Sequence, residues 1–235
     1  GVQTCALPIY EKLKSYVSSW QVYLIYQIVK HINSKNAEYS VFCDNKEYTL
    51  IWKLLLMIYG ENGGNKIVPK ISKGLIKISA GTQGIDANLA AEIELNNNKI
   101  NYVITAKKII DMYQRLSFDR TPVYILIDEL ELSVKSKKQR EADIELVRDL
   151  IIAVDRMNWV SKDKLYKVNF YASVRTDVVD SFLSSGYEIN KCIEDYGVTI
   201  EWYQRGGNYV DNPLLKLDLK STRLNSSHPA GSRMP

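Results

Sequence analysis

The chain has 235 residues, 46% of them hydrophobic and 25% charged, with a formal net charge of +4. That is globular composition, long enough for one large domain or two small ones. With 12 Gly, 6 Pro and 3 Cys it is neither collagen-like, low-complexity nor a disulfide scaffold. Its longest mostly apolar stretch, 49–59, is interrupted by Lys53 and falls short of the roughly 20 residues of a spanning helix, so a soluble chain without a membrane partner is expected.

Residues 1–9, GVQTCALPI, resemble a translated short-read sequencing adapter, and residues 220–235 resemble a translation of its complement. Both ends are therefore expected to be artefact, to be left out of the fold. The genuine part is then 10–219, expected to be a fragment of a longer protein. The C-terminal segment carries Lys220, Arg223 and Arg233 and no acid, so +4 becomes +1 for the genuine part. No basic partner surface follows from a balance so close to neutral. Cys5 and His228 also leave with the ends. The remaining Cys43, Cys192 and His31 cannot supply a four-ligand zinc site. Free thiols fit a reducing cytoplasm, the expected compartment.

Along the genuine part, residues 10–32 place Leu13, Val17, Trp20, Leu24 and Ile28 at three- and four-residue steps, with Ile25, Val29 and Ile32 widening the stripe. This predicts an amphipathic helix. A second helix is expected over 45–59, ending at Gly60, followed by a loop at 60–66. Residues 71–86 read as an irregular or strand-containing insert, 87–95 as a strand or a short helix, and 96–98 as a turn. A helix over 102–116 has Ala106, Ile109, Ile110, Tyr113 and Leu116 inward. The strand 123–127 is a continuous apolar run of the kind buried on both faces of a parallel sheet. A long helix over 141–158 carries Ile144, Val147, Leu150, Ile151, Val154 and Met157 on one side. A strand at 167–174, a short helix at 177–183 and a last strand at 198–202 complete the order. Strands alternating with helices predict an α/β fold with a mostly parallel sheet.

One segment carries chemistry. Val123-Tyr124-Ile125-Leu126-Ile127-Asp128-Glu129 is an apolar strand ending in two adjacent acids, the Walker B pattern of P-loop nucleotidases. Such a strand delivers its acids to the carboxyl edge of the sheet, where open α/β folds bind ligands. There Asp128 would hold the Mg²⁺ that bridges the β- and γ-phosphates, and Glu129 would orient and deprotonate the attacking water. The plain alternative is a core strand whose end is solvated by acids. The next strand ends at Arg175, whose guanidinium fork matches phosphate oxygens. Its alternative is a surface ion pair with Asp177 or Asp180.

Three segments, ILIDELEL at 125–132, FYASVRTDVVDSF at 170–182 and GYEINKCIEDYGVTIEW at 186–202, together resemble a family of bacterial P-loop ATPases. The family is AAA-like or signal-transducing in type and is often encoded on mobile or defence-associated loci. The similarity spans about 123–215. It implies an incomplete P-loop NTPase-like three-layer fold with helices on both sheet faces, ATP and Mg²⁺ as cofactors of the complete parent, and Arg175 as the sensor at the end of the strand after Walker B. Glu188, Lys191 and Asp195 are either the family's polar cluster or helix-face charges around a turn at Gly197. Trp202 and Tyr203 are read as packing against the sheet.

The family also implies a phosphate-binding loop, G-x-x-x-x-G-K-[ST], and the sequence has none. In 60–67, GENGGNKI, Asn65 stands in place of the second Gly and Ile67 in place of Ser or Thr, after a helix where a strand is needed; 81–84 lacks the Lys. The loop is expected upstream, so the chain as given should neither bind ATP tightly nor hydrolyse it. A metal-dependent nuclease using Asp128, Glu129 and Glu131 is a lesser reading, because neighbouring strand residues face opposite ways and cannot share one ion without a bend. A non-enzymatic ATPase-like scaffold binding protein or nucleic acid is the main alternative. Sixteen tyrosines and the run Lys135-Ser136-Lys137-Lys138-Gln139-Arg140 permit phosphate contacts. A homo-oligomer is a further expected partner state, since this ATPase core is used for switch-like assembly.

Overall fold

Helix α1, Val17–Ser34, forms where the apolar steps predict it, and nearly its whole circumference is buried. Val22, Leu24, Ile25, Tyr26, Ile28, Val29 and Ile32 are each at most 1% exposed. A helix apolar on so many sides belongs at the centre of a core. The computed structural model describes residues 16–34, 46–60, 75–78, 86–116, 122–130, 136–162, 168–184 and 189–200. The expected adapter segments and residues 10–15 lie outside these. The chain divides into two units, Gly1–Cys192 and Ile193–Pro235.

In the first unit, helix α2 (Lys46–Tyr59) buries Ile51, Leu54, Leu55 and Ile58 in the core it shares with α1. Tyr26 stacks on Trp52 at 6.4 Å and tilts against Tyr59 at 4.8 Å. Gly60, at φ 72°, donates its N–H to the Leu56 carbonyl and stops the helix. That left-handed stop is where a residue without Cβ is at least cost.

The insert holds a small antiparallel pair, β1 (Leu75–Lys77) with β2 (Lys99–Asn101). The helix α3 (Ala87–Glu92) lies between them, capped by the Asp86 carboxylate on the Leu89 N–H at 2.8 Å. This settles residues 87–92 as helix. Asn96 and Lys99 exchange backbone bonds across Asn97 and Asn98, both at positive φ. That is the two-residue hairpin turn that matches strand twist, and Asn tolerates it best after Gly. Asn101 then caps α4 (Tyr102–Arg115), accepting from Val103 and Ile104. Helix α4 buries Thr105, Ala106, Ile109, Met112 and Tyr113.

Strand β3 (Val123–Leu130) pairs in parallel with β4 (Val168–Val174), joined by the 25-residue helix α5 (Lys137–Ser161). Parallel neighbours require such a crossover. Ser136 caps α5 by accepting from the Gln139 N–H at 3.2 Å, so the helix begins four residues before the apolar pattern does. Among the described residues the fold mixes helix and strand, with a small two-stranded parallel sheet, compatible with α/β.

Strand β3 meets its two-face expectation on one face. Val123 is buried and Ile125 and Ile127 pack on the core, but Tyr124 and Leu126 are 59% and 77% exposed. Successive residues face opposite ways, and only one face of the pair is covered by described residues. On the open face Tyr124 stacks with Tyr171 of β4. At the far edge of β4, the Asn158 amide donates to the Phe170 carbonyl at 3.0 Å and accepts from its N–H at 2.8 Å. A side chain therefore occupies the place of a strand partner there.

Helix α5 also fixes the start of α1. The Asp149 carboxylate accepts the Tyr16 backbone N–H and pairs with Arg148 at 2.6 Å, and Trp20 Nε1–H donates to the Leu146 carbonyl at 2.9 Å. Val17 and Trp20 pack beside Leu150 and Ala153. After β4 comes α6 (Thr176–Ser184), then α7 (Asn190–Tyr196), which crosses into the second unit.

In the second unit the Gly197 N–H bonds the Ile193 carbonyl at 2.8 Å. A Cβ at Gly197 would sit 2.3 Å from that oxygen, so no other residue fits this stop unchanged. Residues 198–200 are not a strand, and Val198 and Ile200 are 87% and 63% exposed. The expected last strand is thus absent over its described part; Trp202 and Tyr203 lie outside the described residues.

Candidate functional site at the carboxyl edge of the parallel sheet

Because β3 and β4 run the same way, their carboxyl ends reach the same edge. The register runs evenly from Val123↔Val168 to Ile127↔Ala172, then jumps to Leu130↔Val174. Between these points β3 uses three steps and β4 two, so the extra residue falls at Asp128-Glu129. A bulge bends its strand and re-aims its side chains. The bend that two adjacent strand acids need is therefore present in the backbone at these residues. Asp128 is exposed; the Glu129 side chain lies outside the description, although its backbone belongs to β3.

Arg175 follows the last residue of β4 directly. Its carbonyl accepts the N–H groups of Val178 and Val179 at 3.0 and 3.1 Å, which makes it the capping residue of α6. Its Nε and Nη2 donate to Oδ1 and Oδ2 of Asp177 at 3.0 and 3.2 Å. Both side chains are about two-thirds exposed, at 64% and 65%. The surface pair with Asp177 that the sequence offered as the alternative role of Arg175 is thus present.

An open groove of about 780 Å³ runs along β3 to Asp128, walled by Tyr23, Gln27, Lys30 and His31 of α1. No spacing rule pointed to these α1 residues, because their proximity to β3 is tertiary. Lys191 and Asp195 are exposed on α7, and Glu188 lies outside the described residues, as do Glu131 and the loop at 61–67. Lys137, Lys138 and Arg140 are exposed on the first turn of α5. Among the described residues no three His, Cys, Asp or Glu side chains gather as a metal cluster. Among them, too, no helix is long and apolar enough to cross a membrane.

The chain matches no protein-family model, no curated protein and no solved structure.

Proposed function

We propose that the chain is the Walker B and sensor half of a Mg²⁺-dependent P-loop ATPase domain. The observation that carries the reading is the parallel pairing of β3 with β4 across α5. It brings Asp128 and Arg175 to one edge, the ligand-binding edge of open α/β sheets. In this reading Asp128 contributes a hard carboxylate oxygen to Mg²⁺, Glu129 takes a proton from water, and Arg175 meets the γ-phosphate. The donor chemistry fits, since Mg²⁺ in such sites uses one or two carboxylates together with substrate phosphates and waters. When bound, the ion neutralises phosphate charge; the protein's part is to place acids and guanidinium around it.

The finer fold goes with this reading: a three-layer sheet in which a second helical layer covers Tyr124, Leu126 and Tyr171. The phosphate-binding loop is contributed by sequence outside the 235 residues, and the chain by itself neither binds ATP tightly nor hydrolyses it. The same open aromatic face favours a second reading, a degenerate ATPase-like scaffold that docks a protein or nucleic acid there. In either case the parent works in the cytoplasm, and homo-oligomers fit the first reading.

The deciding experiment recovers the reading frame upstream of codon 10 from the source DNA. A strand followed by G-x-x-x-x-G-K-[ST] supports the ATPase. Asp128→Asn and Glu129→Gln in the full-length protein should then each lower the ATP turnover by about a hundredfold or more. An upstream start codon with no such loop sinks the reading and leaves the scaffold.

A further inference from the structure

We propose that Asp177 is a latch on Arg175, competing with a phosphate group for the side-on edge of the guanidinium. The inference rests on the nucleotide reading above and adds a regulator to the same edge. A guanidinium presents five N–H donors in a rigid fork with two bidentate edges, Nε with Nη2 and Nη1 with Nη2, each of which matches carboxylate and phosphate alike. In this structure the first, side-on edge is taken: Nε and Nη2 each donate to a different oxygen of Asp177. A phosphate that seeks the same two donors competes with Asp177 directly.

The two partners are not equally held. Asp177 lies in the first turn of α6, where its charge is favoured by the helix N-terminus. The Arg175 backbone is likewise fixed as the α6 cap, while its long side chain is 64% exposed and can rotate away. The pair is exposed on both sides, so water and salt screen it and exchange of carboxylate for phosphate is cheap. A latch of this strength sets a threshold without locking the site. Asp177→Asn keeps the shape, removes the competing charge and frees the fork. It raises triphosphate affinity at Arg175 by about two- to fivefold, the scale of one exposed ion pair.

The test titrates the 235-residue chain with inorganic tripolyphosphate at low salt, following the arginine Nε–Hε resonances by NMR. Asp177→Asn and Arg175→Ala are run beside the parent. The expected result is a shift of the Arg175 resonance, tighter binding in Asp177→Asn and loss of binding in Arg175→Ala. If Arg175→Ala loses binding while Asp177→Asn binds no more tightly, the latch is wrong and the phosphate role of Arg175 stands. Should Arg175→Ala bind as the parent does, or no protein shift at all, the phosphate role falls and the latch with it. A purely structural Asp177 would lower the melting temperature of Asp177→Asn with affinity unchanged, which also overturns the proposal.

Discussion

Asp149→Ala should be among the most damaging single substitutions in the chain, although no proposed site residue lies near it in sequence. The carboxylate is 1% exposed and serves two partners, the Arg148 guanidinium at 2.6 Å and the backbone N–H of Tyr16 at the start of α1. Arg148 is itself only 8% exposed. Removing one member of a buried pair costs about 3–5 kcal/mol, because the remaining charge stays desolvated. A backbone donor deprived of its acceptor in the interior costs about 1–3 kcal/mol more where it cannot reach water. Relaxation shares these losses, so we expect about 4 kcal/mol in total, which is a large fraction of a domain's stability. With a urea slope of about 2 kcal/mol per molar, the midpoint falls by about 2 M. Urea unfolding followed by tryptophan fluorescence reads this directly, since Trp20 reports the α1–α5 contact. The companion Arg148→Met, Asp149→Leu removes both charges together but still leaves the Tyr16 N–H without its acceptor, so it should recover most of the charge cost and lie about 1–3 kcal/mol below the parent. An Asp149→Ala protein that unfolds within about 1 kcal/mol of the parent would refute the reasoning, and so would a double variant no better than the single one.

The alkaline limit is set by buried tyrosines. Burial pushes the Tyr102 hydroxyl up to about 12, whereas in the unfolded chain it ionises near 10.0. Above pH 10 the unfolded state therefore holds fewer protons than the native one, and stability falls as pH rises. The contribution is complete below about pH 10 and declines by up to about 1.4 kcal/mol per pH unit towards 12. Burial moves Tyr59 and Tyr113 the same way, so urea midpoints should drop steeply between pH 10 and 12. A midpoint that stays flat across that window would contradict the buried placement. Asn158→Ala should cost about 2 kcal/mol, as it orphans both polar groups of Phe170. Hydrogen exchange at the Phe170 amide should rise more than at its neighbours, and equal protection would mean that the amide bridge is not formed. The Asp128→Asn and Glu129→Gln losses given above complete the set.

Much of the order of elements was legible because apolar spacing and turn chemistry are local. The stripe from Val17 to Ile32 and the inward set Ala106, Ile109 and Tyr113 both name the buried faces of α1 and α4. Errors arise where a local pattern has two readings. The Ala87-Asn88-Leu89-Ala90-Ala91 run is ambiguous by periodicity, and the Asp86 cap decides for helix. The early start of α5 was written in Ser136-Lys137-Lys138-Gln139, a capping pattern that the apolar criterion passes over. Val198 and Ile200 alternate as a strand should, but a strand also needs a hydrogen-bonded neighbour, and none of the described residues pairs with them. At the site, the acids and the arginine could be named from their places at strand ends. The bulge at Asp128-Glu129 depends on register between strands about 45 residues apart, and the groove wall from α1 on packing across roughly 90 to 105 residues, which no window of sequence contains.

That separation has a consequence for how the chain acquires its fold. The contacts that hold α1 to α5 join residues 133, 126 and 136 positions apart. During synthesis α1 emerges well before its packing partner α5. At about 5–20 residues per second the interval is on the order of 7–25 seconds, far longer than the microseconds in which a helix forms. Over that time the described helices that the α1 stripe can lie against are α2 and α4. The nascent chain is thus most exposed to aggregation before residue 149 is made, and the Asp149 contact is a closing event in folding, when the last long loop is drawn shut.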